Sequence, residues 1–120
     1  MGLELSDRAS EYQEFHMMIK LNPTSCFVAK HNGEIIGSVF GLFNGRRAWI
    51  YHLSVDPVYQ NQGIGTKLMQ SAEQSLFAVG ANKIRLWVNF SNLKVITFYE
   101  KLGYKAICDA LMLGKDLKLT

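Results

Sequence analysis

The spacing of hydrophobic residues changes along this chain, and each change marks an element. Between residues 6 and 20, Tyr12, Phe15, His16 and Ile19 fall on one face of a helix. Ser6 is placed as its N-cap, with Asp7 in the first turn. His16, on the apolar side, reads as a partly buried histidine. Asn22-Pro23 stops the helix, because proline disfavours helical backbone in the residue before it. Three strands follow, Cys26–His31, Glu34–Phe43 and 46–55. They are joined by Asn32-Gly33 and Asn44-Gly45, the dipeptide that a type I′ hairpin turn prefers. Two such hairpins in a row specify an antiparallel meander. Gly37 and Gly41 inside the second strand point to a bulge or a close packing contact.

Pro57 ends the third strand. Ile64, Leu68, Ala72 and Leu76 then recur every fourth residue, which predicts a helix over about 63–79 with Gly80 at its C′ position. Residues 83–88 read as a short strand, Ile84, Leu86 and Val88 alternating with Arg85 and Trp87. The order strand, helix, strand implies parallel pairing of this strand with 46–55. Ser91 or Asn92 can cap a second helix, running to about Leu102 and ended by Gly103. Residues 104–113 alternate loosely and read as a last strand or hairpin. The expected fold class is α/β: a mixed sheet in which an antiparallel meander joins a βαβ unit, with helices on both faces.

Composition narrows the classes. A chain of 120 residues with 48% hydrophobic and 19% charged residues is globular and has room for one domain. The formal net charge of +3 suits an anionic ligand. No Lys/Arg cluster with interleaved aromatics argues for nucleic acid, and no apolar run is long enough to span a bilayer. Cys26 and Cys108 lie far apart, outside any CxxC or metal-ligand spacing. They read as reduced thiols of a cytoplasmic protein, with no metal site.

The candidate chemistry lies where the third strand meets the long helix. A strand, a turn holding Gly63 and Gly65, and a helix start make an anion site. The first N–H groups of a helix have no internal partner, and the helix dipole adds positive charge there. Glycine lets a ligand approach the backbone. A phosphate or pyrophosphate is the expected group. The turn is not a P-loop, lacking GxxxxGK[ST]. It follows a meander rather than the first strand of a dinucleotide fold.

Gln60-Asn61-Gln62-Gly63-Ile64-Gly65 resembles the pyrophosphate loop Q/R-x-x-G-x-G/A of the GNAT superfamily of N-acetyltransferases. Residues 53–57 look like the central strand of that family and its exit. Asn92, Phe98-Tyr99 and Leu102-Gly103-Tyr104 look like its second motif. The resemblance covers roughly residues 25–114, and over 27–115 the chain is similar to the small bacterial YpeA-like members. It implies acetyl-CoA as co-substrate, an amine acceptor and direct acyl transfer. Backbone N–H groups of about Gln62, Gly63, Ile64, Gly65 and Thr66 would hold the pyrophosphate, with help from the side chains of Gln60 and Thr66. The main chain near Leu53 and Val55 would pair with the pantetheine arm, and Asn92 would bond that arm or its water. Tyr99 would protonate the departing sulfur, and an N–H near Val55 would meet the oxyanion.

The resemblance also implies a general base. Many members use a glutamate on the central strand, but residues 48–54 hold no carboxylate. His52 is the natural replacement, since an imidazole titrates near neutrality. Tyr51, or a water chain to Glu34, would also serve. Against the family layout the chain is N-terminally shortened, lacking an evident first strand. That would leave a sheet edge exposed, where a second copy could dock to form a homodimer. A CoA-binding or regulatory module with little catalysis is the alternative function. The acceptor side would be lined by the N-terminal helix, the 40–47 hairpin and the C-terminal strand. Arg46 and Arg47 could favour a carboxylate-bearing acceptor, although solvated hairpin charges are the plainer reading.

Overall fold

The computed structural model describes residues 9–118, with side chains from Gln13 onward. The positions of Ser6 and Asp7, and the side chain of Tyr12, lie outside the described residues. The chain forms two compact units, Met1–Trp87 and Val88–Thr120.

In the first unit the described elements run α1 (Ala9–Leu21), β1 (Cys26–His31), β2 (Glu34–Phe43), β3 (Ala48–Val55), α2 (Ile64–Ala78) and β4 (Ile84–Leu86). They build one sheet in the order β1-β2-β3-β4. The first two pairings are antiparallel, and β3 and β4 run parallel. The meander and the strand–helix–strand unit therefore form as expected. The first hairpin is the expected turn, with Asn32 (φ 52°) and Gly33 (φ 82°) both left-handed. The second differs. Only Gly45 is left-handed there. Asn44 acts through its side chain, whose Oδ1 accepts from the backbone N–H groups of Arg46 and Arg47, each at 2.8 Å. This Asx turn uses Arg46 and Arg47, so β3 begins at Ala48 rather than at residue 46.

Helix α2 covers one face of the sheet with Leu68, Met69, Ala72 and Leu76, all buried. Full burial of an aliphatic side chain of this size stabilises by about 1.5–3 kcal/mol. The β2 glycines make the contact close. A Cβ on Gly37 would stand 3.1 Å from Leu68 Cδ1, and one on Gly41 only 2.8 Å from the Ser25 carbonyl oxygen. Ser25 fixes that approach, its Oγ donating to the Gly41 carbonyl at 2.6 Å and its own carbonyl accepting from Gly41 N–H at 2.9 Å. Gly80 ends α2 as expected. Its N–H bonds the Phe77 carbonyl, and the Ala81 N–H bonds that of Leu76, which is the Schellman pattern.

Helix α1 lies on the other face. Phe15 is buried with its ring 5.0 Å from that of Phe40. The expected apolar stripe is only partly right. His16 is exposed and Ile19 is 44% exposed, while Met18 is half-buried. A short helix on a sheet buries one narrow stripe, here Phe15 and Met18, and the next row over faces solvent. Asn22 closes the helix. Its N–H bonds the Met18 carbonyl at 3.0 Å, and its Oδ1 accepts from Phe43 N–H at 2.8 Å, which ties the helix end to the end of β2.

The second unit holds a 3-10 turn, Phe90–Val95, followed by α3 (Ile96–Lys101). The expected cap at Ser91 or Asn92 does not form. Asn92 lies inside the 3-10 turn with non-helical φ −132° and ψ 35°, so the α-helix starts only at Ile96. Gly103 stops it in a second Schellman pattern, Gly103 N–H to Glu100 and Tyr104 N–H to Tyr99. The expected strand over 104–113 is absent. Residues 104–118 adopt neither helix nor strand, and Leu111 is 91% exposed. A strand needs a ladder partner for its N–H and C=O groups, and loose alternation does not supply one.

Candidate active site

Two features of β3 prepare the site. The first is where its parallel partner stops. Pairing with β4 covers only Ala48↔Ile84, Trp49↔Arg85 and Ile50↔Leu86. From Tyr51 to Val55, β3 continues to pair with β2 but no longer with β4. The second feature is a bulge. Ser38 pairs with Ser54 and Phe40 with Tyr51, so Val39 alone opposes both His52 and Leu53. His52 absorbs the extra residue with φ 52°. Histidine tolerates this conformation better than a β-branched residue would.

The bulge decides which face His52 occupies. Strict alternation would put His52 and Tyr51 on opposite faces. Instead the His52 ring stands edge-on to Phe15 of α1 at 4.7 Å (89°) and lies 6.1 Å from Phe40, with Tyr51 6.3 Å away. Both therefore look toward α1. They share a cleft of about 380 Å³ with Glu14, Phe15, Met17 and Met18. Glu14 was not legible as a site residue. A search for a carboxylate on the central strand passes over it, and only its place one residue before the buried Phe15 gives a signal.

The loop after β3 is held from several sides. Asp56 donates its N–H to the Ile36 carbonyl at 2.7 Å, and its Oδ1 accepts from Val58 N–H at 3.0 Å, capping the 3-10 turn Pro57–Tyr59. Gln60 turns back, with Nε2 donating to the Val55 carbonyl at 3.0 Å. One of its amide hydrogens is thus committed to the loop itself. Asn61 (φ 64°) and Gly63 (φ 82°) bend the chain into α2. A Cβ on Gly63 would meet no atom within 4 Å, so the space over the turn is open. The Lys67 N–H bonds the Gly63 carbonyl at 3.1 Å. By helix geometry the N–H groups of Gly63, Ile64, Gly65 and Thr66 precede it without intrahelical partners. Gln62 is exposed, and Leu53, Val55, Ile64, Gly65 and Thr66 are half-buried. Leu53, Val55, Gln60, Gln62, Gly63, Ile64, Gly65 and Thr66 thus lie on one stretch of strand end, loop and helix start.

Tyr99 and Asn92 belong to the second unit. Tyr99 is half-buried, with the ring of Phe98 at 5.1 Å and that of Tyr104 at 5.9 Å. Burial pushes its hydroxyl above the ordinary tyrosine range. It therefore keeps its proton at neutral pH. Asn92 is exposed. Among the described residues no group of three or more His, Cys, Asp and Glu could hold a metal ion. None of the described helices is long and apolar enough to cross a membrane.

A mixed sheet with helices on both faces, a glycine turn at a helix start and a parallel pairing that stops short of the end of β3 are what the resemblance to the GNAT acetyltransferases implies. The model of the acetyltransferase (GNAT) family matches residues 3–104, and the chain belongs to that family. An acetyltransferase of Pectobacterium atrosepticum is 44% identical over 100 residues, covering 82% of this chain and 70% of that one. Among solved structures, Ard1 from Thermoplasma volcanium superposes with a TM-score of 0.74 at 23% identity, over 87% of this chain and 70% of that one. The apo aminoglycoside 6′-N-acetyltransferase of Acinetobacter haemolyticus gives 0.74 at 18% identity, over 94% and 85%. At such identities these two structures speak for the fold alone.

Proposed function

We propose that the chain moves the acetyl group of acetyl-CoA to the nitrogen of an amine. One observation carries the reading. The open, left-handed Gly63 turn presents the first N–H groups of α2 directly beyond the part of β3 that β4 leaves unpaired. In this reading the N–H groups of Gly63, Ile64, Gly65 and Thr66 hold the pyrophosphate. Gln62 flanks it from the exposed loop, and Thr66 adds its hydroxyl. Gln60 serves mainly by bracing the loop on Val55. The pantetheine arm pairs along Leu53 and Val55 as an added strand would, and Asn92 bonds the arm. An N–H of β3 near Val55 stabilises the oxyanion.

The acceptor arrives as an ammonium and must lose a proton before it attacks. His52 takes that proton. The nitrogen lone pair forms the N–C bond, the C–S bond breaks, and the electron pair leaves with sulfur. Tyr99 protonates the sulfur. Of the two protons the nitrogen loses, one ends on CoA and one in solvent. The free thiols Cys26 and Cys108 fit the reducing cytoplasm. The test is release of free CoA from acetyl-CoA across a panel of amines, with acetyl-CoA binding measured by calorimetry. His52→Asn keeps a residue tolerant of left-handed backbone and should cut turnover about 100-fold or more with binding unchanged. Binding without turnover on any amine would instead mark a CoA-binding module.

A further inference from the structure

Among the described residues, the carboxylate of Glu14 sets the charge that the cleft beneath α1 offers its ligand. Its lining among the described residues is Glu14, Phe15, Met17, Met18, Tyr51 and His52, which includes a carboxylate and no lysine or arginine. Arg46 and Arg47 are exposed at the β2–β3 hairpin, held by their N–H groups to Asn44, and take no part in the lining. Phe15, Tyr51 and His52 give three rings within one cluster. Ring faces attract a cation, and the two methionines supply a flexible apolar wall. A ligand carboxylate would meet Glu14 and the negative ring faces, both unfavourable. The volume of about 380 Å³ is at the small end for ligand clefts, a size for a small molecule.

Resting on the acetyltransferase reading of the same site, we infer that the acceptor is a small primary amine on an apolar body, with no carboxylate or phosphate of its own. Glu14 and the rings of Phe15 and Tyr51 hold its ammonium, Met17 and Met18 pack on its body, and His52 stands beside the nitrogen that it deprotonates.

The test compares three amines of one shape: phenethylamine, phenylalaninamide and phenylalanine. CoA release is followed for the natural chain, Glu14→Gln and Glu14→Lys. Glu14 is exposed, so neither variant should disturb folding, and circular dichroism verifies this. The first two amines should exceed phenylalanine in kcat/KM by about tenfold or more. Glu14→Gln should lower kcat/KM for phenethylamine roughly fivefold, chiefly through KM. Glu14→Lys should shift the preference toward phenylalanine. Phenylalanine turned over as well as its amide, or a preference unchanged in both variants, would overturn the inference. Turnover confined to polyamines, other amino acids or peptides would also overturn it, leaving the transferase reading in place. No turnover with any amine would overturn both.

Discussion

Tyr99 has a physical reason to keep its proton: burial, with the rings of Phe98 and Tyr104 beside it, raises its ionisation above the usual tyrosine value of 10.0. In the proposed function it donates that proton to the departing thiolate, for which it stays protonated across the neutral range. Tyr99→Phe should therefore lower kcat by about 100-fold while acetyl-CoA affinity stays within about twofold, since one hydroxyl contact is removed. Steady-state rates beside calorimetry separate the two effects, and unchanged turnover would remove Tyr99 from the donor role. The sign of the linkage follows. A tyrosine whose folded-state ionisation is raised stabilises the fold below its unfolded value, and that contribution is lost as pH rises above about 10. Tyr99→Phe should thus blunt the loss of thermal stability on alkaline titration. His52 shows the limit of reading single residues. Its candidacy as base was visible in the sequence, because β3 offers no carboxylate. Its orientation was not, because the bulge that brings it beside Phe15 depends on pairing with β2.

Glycines of the elements separate stability from binding. At Gly41 an added Cβ meets the backbone oxygen of Ser25 at 2.8 Å, and that oxygen is held by Gly41's own N–H. The neighbour cannot move aside cheaply. Gly41→Ala should cost about 1–3 kcal/mol of stability, as overpacking does. At Gly63 the added Cβ meets nothing, so only the left-handed φ of 82° is penalised, by about 1–2 kcal/mol. In the proposed function, however, that Cβ stands where the pyrophosphate lies. Gly63→Ala should weaken acetyl-CoA binding far more than Gly41→Ala, by titration calorimetry on folded protein, and equal losses would argue against the loop. Most of this layer could be read in advance. The first Asn-Gly turn located β1 and β2, and Gly80 and Gly103 ended their helices because a left-handed residue completes the Schellman pattern. The failures share a cause. Asn44-Gly45 folds as an Asx turn, Asn92 falls in a 3-10 turn rather than at a cap, and residues 104–118 form no strand. In each, local composition allows several backbones and does not say which hydrogen bonds form: Asn44 bonds Arg46 and Arg47 through its side chain, and the Asn92 N–H bonds the Asn89 carbonyl.

At the scale of the molecule, a ligand that binds only the folded chain must raise its stability. For acetyl-CoA at about 100 times its Kd the gain is about 2.7 kcal/mol, or roughly 10 °C in Tm for a chain of this length. ATP carries phosphates too and tests whether the site selects CoA. A helix start attracts any phosphate, but in the proposed function only CoA has an arm to pair along Leu53 and Val55 of β3. ATP should therefore shift Tm by no more than a small part of the acetyl-CoA shift. Salt separates the two contributions further. The chain carries a net +3, and the helix-start interaction with phosphate is electrostatic. Raising salt from about 50 mM to about 500 mM should shrink the shift, because the screening length falls to a few ångströms. The part owed to the pantetheine arm, hydrogen-bonded and apolar, should persist. A shift abolished by salt would reduce the site to an anion-binding helix end, and an equal shift by ATP would do the same.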